Sequence, residues 1–324
     1  MLTQLIRRVV CIAGVLGAGF STVTAAQEFP ARPIHIITAD PGGAFDFEAR
    51  LISQGVSAST GQAVIIENRG GANGVLAGQM VAKAPADGYM LLYYGSTVWL
   101  QPLMRQGVPY DILKDFAPVT LAVNSPGLVV VANDLPVKTI QDLIAYAKAH
   151  PGELNYGSGG LGGANHLAAE LFKNMAGVDI VRVPYKGAAP ALNDLMGGKL
   201  QAMFPIMASG LPFVRVGRIR ALAVTSAQPS TTVPQLPTVA SAGLPGYEAT
   251  QISALFAPAK TPDAIINKLN QEVSRVLNKP EVRERLSASG SEIVASTPAQ
   301  LTAAVKADLA RMGKVIKDAN IRDE

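Results

Sequence analysis

Cysteine is nearly missing from this chain: 324 residues hold one, Cys11. It lies in an apolar run from Val9 to Phe20 that follows Arg7 and Arg8 and gives way to small residues ending at Ala25-Ala26. Basic start, apolar middle and small-residue end make a secretory signal over residues 1–26, with cleavage after Ala26 or one residue earlier. No lipobox surrounds Cys11, so no lipid anchor is expected. The exported chain then has no disulfide, thiol nucleophile or thiolate metal site. The apolar run is too short to cross a bilayer, and no later stretch is long enough. Histidines number three. His35 sits inside a strand, His150 ends a helix and His166 opens one, and no spacing converges them with carboxylates as metal or triad chemistry requires. Charge is sparse too. Without the leader the net charge of +4 falls to +2, and no Lys/Arg cluster offers a nucleic-acid footprint.

What the chain has instead is glycine, 31 residues of it, and a 48% apolar content that can fill a core. The organising stretch is Pro33 to Asp46. Ile34, Ile36 and Ile37 make a buried strand, Pro41-Gly42-Gly43 turns the chain, and Phe47, Leu51, Ile52 and Val56 recur at helical spacing as far as Gly61. A strand, a glycine turn and a helix start leave several N–H groups unpaired and pointing one way, which suits an anion. An ordinary strand-to-helix connection is the competing reading. Asp46 has two roles open to it, a carboxylate favoured by the helix dipole or a ligand contact.

The design recurs. Leu154-Asn155-Tyr156 is a strand, Gly157 to Gly163 a loop, and Ala164 to Ala176 a helix stopped by Gly177. Between and after these units, strands at Ala63–Ile66, Met90–Tyr94, Leu128–Ala132, Ile180–Val183, Leu200–Phe204, Arg220–Thr225 and Ser253–Ala257 alternate with helices. Three closing helices each start at a proline, Pro262, Pro280 and Pro298. Such alternation gives mostly parallel sheets covered on both faces, with ligands beyond the carboxyl ends of the strands. Gly157-x-Gly159-x-x-Gly162 matches a dinucleotide fingerprint literally, but Asp179 opens the next strand instead of ending it, so it is placed wrongly for a ribose. Ser158 lacks the first glycine of a nucleophile elbow, since Tyr156 stands there. His166 reads as a helix-start hydrogen-bond donor before a base, and Lys186 as loop structure or an anion attractor. Glycines, small hydroxyls and few convergent titratable groups fit binding without turnover: not an enzyme, and no cofactor.

The chain resembles the extracytoplasmic solute receptors of tripartite tricarboxylate transporters, the Bordetella uptake gene (Bug, TctC-like) family. The likeness runs from Phe29 onward. Its landmarks are Pro41-Gly42-Gly43-x-x-Asp46-x-x-Ala49-Arg50, Glu67-Asn68-Arg69-x-Gly71-Ala72, Ala86-Asp87-Gly88-Tyr89, Tyr156-Gly157-Ser158-x-Gly160, Val183-Pro184-Tyr185-Lys186-Gly187 and Arg220 to Thr225. The resemblance implies an α/β, two-lobed periplasmic binding protein of the type II Venus-flytrap class, each lobe a mostly parallel sheet flanked by helices. Lobe 1 is then 27–125 with 250–324, lobe 2 is 126–249, and the crossings near Ser125 and Thr250 form the hinge.

The resemblance also implies a monomer that captures a small carboxylate in the periplasm of a Gram-negative bacterium and hands it to a membrane permease of one large and one small subunit. Carried over residue by residue, the carboxylate loop is Pro41, Gly42, Gly43, Ala44, Phe45 and Asp46, helped by Ser96 and Thr97. The opposing lobe offers Ser158, Gly159, Gly160 and Gly163 with the turn Tyr185, Lys186, Gly187. Two departures stand out. The family usually has Thr or Ser where this chain has Phe45, and Ser where it has Gly163. Each loses a hydroxyl, which points to a more apolar or aromatic acid. Two rival functions remain from other classes: an accessory that reports ligand to a two-component sensor, and a secreted hydrolase or isomerase on the same fold using Ser158 and His166.

Overall fold

The computed structural model describes residues 29–322. The leader read at 1–26, with Cys11, lies outside them. Among the described residues there are eleven strands and ten α-helices. The first part holds β1 (Ile34–Thr38), α1 (Ala44–Thr60), β2 (Val64–Asn68), a 3-10 turn (Ala72–Gly74), α2 (Val75–Ala82), β3 (Met90–Gly95), α3 (Thr97–Met104) and β4 (Phe116–Pro126). The middle holds β5 (Leu128–Val131), α4 (Ile140–Ala149), β6 (Asn155–Ser158), α5 (Ala164–Ala176), β7 (Val181–Pro184), α6 (Ala188–Met196), β8 (Ala202–Met203), α7 (Met207–Arg215) and β9 (Arg220–Val224). The last part holds β10 (Thr250–Pro258), α8 (Asp263–Leu277), α9 (Pro280–Ala288), β11 (Glu292–Ile293) and α10 (Pro298–Asp318).

Two sheets organise these elements, in the orders β11-β4-β10-β3-β1-β2 and β7-β6-β8-β5-β9. Both are mixed, not mostly parallel. β1 pairs parallel with β2 and β3, and β6 parallel with β7 and β8. The remaining pairings, through β4, β5, β9, β10 and β11, are antiparallel. The reason is connectivity. The chain leaves the first sheet at Pro126 and enters the second at Leu128, with only Gly127 between. It returns into β10, which runs back along the whole of β4, Thr250 opposite Pro126 and Pro258 opposite Phe116. A strand that carries the chain away and one that brings it back must lie antiparallel. Gly127 is glycine for want of room: a Cβ there would meet Thr225 Oγ1 at 2.9 Å.

Helix starts account for the Pro positions. Pro280 and Pro298 are first-turn residues, as expected, but Pro262 stands one position earlier, as the N-cap of α8. Thr297 caps α10 with a full capping box to Gln300. Helix α10 lies on β4, α3 and α5. Its buried stripe reads Leu301, Val305, Asp308, Met312, Val315 and Ile316. One apolar cluster reaches from Ile37 through Tyr156 and Phe172 to Ile321, so the same core backs both sheets. A second, around Leu128, Met203 and Leu211, belongs to the five-stranded sheet.

Candidate functional site

The two glycine loops are built alike. At the end of β1, Gly42 adopts φ 78°, and at the end of the β6 loop Gly162 adopts φ 68°; both need glycine for the left-handed turn. Gly43 and Gly163 then take extended geometry as N-caps, and neither helix start has a side-chain cap. The first-turn N–H groups of α1 and α5 therefore have no partner within their helices.

Each loop is locked by an acceptor four residues beyond the positive-φ glycine. Gly42 N–H donates to Asp46 Oδ2 at 3.0 Å. Gly162 N–H donates to His166 Nδ1 at 2.9 Å. Asp46 also accepts from Arg50 Nε (3.0 Å) and Asn68 Nδ2 (2.8 Å). Burial raises its carboxyl, but the bonds from Arg50, Asn68 and Gly42 outweigh that and bring it down to about 2. Burial, with the charges of Arg182 and Lys173, holds the His166 imidazole neutral by lowering it to about 3. Neutral imidazole is what an acceptor role needs. His166 thus accepts, where a donor was expected. Asp46 is consumed in holding the loop, which favours its structural reading.

Other expected site residues occupy distinct places. Ser158 is fully buried, its Oγ taking 2.7 Å from Arg182 Nε, while Arg182 Nη2 donates to Gly159 O at 3.0 Å. Tyr185 N–H donates to Ser158 O, and its hydroxyl to Asp194 at 2.8 Å. Gly187 Cα would lie 3.5 Å from a Cβ on Gly159. The Tyr185-Lys186-Gly187 turn therefore backs the second loop, with Lys186 exposed. Asn73 Nδ2 reaches Leu161 O at 3.4 Å, so the 3-10 turn after β2 touches the second loop.

Between these parts lies a cavity of about 200 Å³. From the six-stranded sheet's side come Phe45, Ser96, Thr97, Leu100, Asp308 and Met312; from the other side Gly162 to Asn165, Leu167 and Ala168; from the returning segment Ala249, Thr250 and Gln251. Of the fifteen residues first expected to bind, the cavity brings together Phe45, Ser96, Thr97 and Gly163. Pro41, Gly42, Gly43, Ala44, Asp46, Ser158, Gly159, Gly160, Tyr185, Lys186 and Gly187 do not line it. Phe45 lies 5.2 Å from the Tyr94 ring, centroid to centroid, and covers Gly95, where any Cβ would collide with it. Among the described residues no Lys, Arg or His lines the wall. Among the described residues no group of three or more His, Cys, Asp or Glu is arranged to hold a metal ion.

Sequence reasoning missed Asn165, Gln251 and Asp308. Asp308 left a signal: an acid on the apolar stripe of α10, where the period demands a hydrophobic residue. Its Oδ2 takes 2.8 Å from Trp99 Nε1. Burial raises its carboxyl, while Trp99, Arg311 and Ser96 favour the anion. Ser96 Oγ itself is buried without a well-formed hydrogen bond.

Two mixed sheets with a cavity between them, walled by helix starts and small hydroxyls, define a solute-binding protein of the periplasmic type. The model of the tripartite tricarboxylate transporter family receptor matches residues 48–321, and the chain belongs to that family. Protein BugT of Bordetella pertussis is 35% identical over 316 residues, 96% of this chain and 97% of its own. Among solved structures, Rpa4515 of R. palustris with adipate is 38% identical with a TM-score of 0.80, covering 91% of this chain and 99% of that one. MatC of Rhodopseudomonas palustris with bound malate is 31% identical with a TM-score of 0.77, covering 89% and 100%.

Proposed function

We propose that this protein is the periplasmic receptor of a tripartite transporter, and that its cavity holds a small organic carboxylate. The observation that carries this reading is the wall itself. Among the described residues it has no basic side chain, yet the uncapped start of α5 lies on it and Phe45 joins it from the start of α1. Helix-start N–H groups and the hydroxyls of Ser96 and Thr97 stabilise an anion without a cation. The Gly42 and Gly162 turns, with Gly160 and the Tyr185–Gly187 turn behind the second, hold those N–H groups in place. Adipate and malate in the two related structures are of the same chemical class. Phe45, Leu100, Leu167 and Met312 give the ligand's body an apolar bed, in keeping with the loss of a hydroxyl at Phe45.

The receptor is exported by residues 1–26 and acts as a monomer facing a permease of one large and one small subunit. Its lobes are 27–125 with 250–324, and 126–249, hinged where Gly127 and Ala249 join the sheets. Hydrogen bonds from Gly127 N–H to Thr225 Oγ1 (2.7 Å) and from Ala249 N–H to Thr225 O (2.9 Å) support this pivot. Binding occurs without turnover.

Calorimetric titration against mono- and dicarboxylates tests the reading. Thr97→Val keeps the shape and removes one donor; a hydrogen bond to a charged group contributes about 1.5–3 kcal/mol, so affinity should fall about ten- to a hundredfold. Absence of carboxylate binding, or conversion of the acid on incubation, would overturn it.

A further inference from the structure

Among the described residues, the one charged side chain lining the cavity is an acid, Asp308. It is 2% exposed and comes from the middle of α10, on a stripe that is otherwise apolar. Its Oδ2 takes the Trp99 indole N–H, and its Oδ1 has only a long contact, 3.5 Å, with Arg311 Nη2. Arg311 makes its short bond elsewhere, 2.6 Å to Glu248, just before the returning strand. One guanidinium thus serves two acids, and the cluster keeps a net negative charge at the cavity wall. A carboxylate has about four lone-pair positions. At Asp308 Trp99 fills one, Arg311 weakly a second, and the Ser96 hydroxyl approaches without good geometry, which leaves room for another donor. Ser96 Oγ, on the same wall, is buried without a well-formed bond.

We infer that Asp308 makes this part of the cavity a donor-selective subsite: the bound carboxylate carries a hydroxyl or an ammonium where its body meets Asp308, and a second carboxylate there is rejected. The inference rests on the carboxylate reading above and narrows it. Specificity of this kind comes as much from the group that is repelled as from the one that is held. A diacid would set its second carboxylate beside Asp308, where among the described residues no cation lines the cavity to compensate. An ω-hydroxy acid fills the vacant acceptor position, and an ω-amino acid adds charge attraction.

Calorimetry with equal-length probes tests it: adipate, 6-hydroxyhexanoate, 6-aminohexanoate and hexanoate, with the four-carbon set beside them. Wild-type protein should bind the hydroxy or amino acid at least about tenfold more tightly than the diacid, and the stronger of the two identifies the donor. Asp308→Asn retains an acceptor for Trp99 and removes the charge. It should narrow that gap about tenfold, chiefly by improving the diacid, with thermal unfolding run alongside to verify the fold. A wild-type preference for the diacid, or a ranking unchanged in Asp308→Asn, overturns the inference while leaving the carboxylate reading intact. If none of these acids binds, both readings fall together. If Asp308→Asn does not fold, the wild-type ranking alone decides.

Discussion

The loop at Gly42 and the loop at Gly162 solve one problem with two different acceptors. Both place a glycine at positive φ, an uncapped helix start next to it, and a side chain four residues on that takes the glycine's N–H. In the first the acceptor is a carboxylate tied to Arg50 and Asn68. In the second it is an imidazole kept neutral by burial and by Arg182 and Lys173. A buried tyrosine–glutamate pair accompanies each helix: Tyr93 to Glu48 on α1 at 2.9 Å, and Tyr156 to Glu170 on α5 at 2.6 Å. The difference teaches that the geometry requires an acceptor and not a charge. It also puts the two loops under different pH control.

The largest effect is expected at Asp46. Asp46→Ala leaves Gly42 N–H, Asn68 and Arg50 without their shared acceptor, and should cost about 3 kcal/mol in denaturant unfolding. His166→Ala should cost about 2 kcal/mol. His166→Asn, which can put an amide oxygen near the Nδ1 position, should recover about half of that. If both His166 variants lose equally, the acceptor role is wrong.

Acid and base titrations sharpen the comparison further. The His166 pKa falls from 6.5 to about 3 on folding, so its contribution is whole above 6.5 and is lost as pH drops towards 3. Burial raises the Glu48 carboxyl from 4.5 to about 7, against the nearby Ser253 hydroxyl and the Tyr93 hydrogen bond. Its contribution is whole below 4.5 and is lost as pH rises through 7. Each slope is about 1.4 kcal/mol per pH unit and they oppose, so the contributions of His166 and Glu48 should nearly cancel between 4.5 and 6.5. In that window His166→Asn should show stability falling as pH rises, and Glu48→Gln should show it climbing. The smallest effect belongs to Lys186→Ala. The side chain is exposed behind the second loop, and both stability and carboxylate affinity should move by less than about 0.5 kcal/mol. A tenfold loss of affinity would put Lys186 back among the binding groups.

The loops were legible because local chemistry dictates them: a left-handed turn demands glycine, and β-branched runs and helical periods flank it. Strand β4 was not. Pro118, Thr120, Asn124 and Ser125 interrupt its apolar pattern, and its eleven residues hold together by pairing with β10, far along the chain. Helices α3 and α7 carry internal prolines, Pro102 and Pro212, and escaped for that reason. In the site, Phe45, Ser96, Thr97 and Gly163 could be named from motif positions. Gln251 could not, and Asp308 showed only as an acid out of place on an apolar stripe, because what brings them to the cavity is the returning strand and the packing of α10 on β4, α3 and α5.

On the proposed reading the start of α5 with the Ser96 and Thr97 hydroxyls, and not a side-chain cation, holds the ligand's carboxylate. A crystal structure with adipate or 6-hydroxyhexanoate bound tests it most directly. The carboxylate should lie within hydrogen-bond distance of the first-turn N–H groups of α5 and of the Ser96 or Thr97 hydroxyl, with the chain's body against Phe45. A carboxylate bound instead to Lys186, Arg182 or another basic side chain would contradict the account.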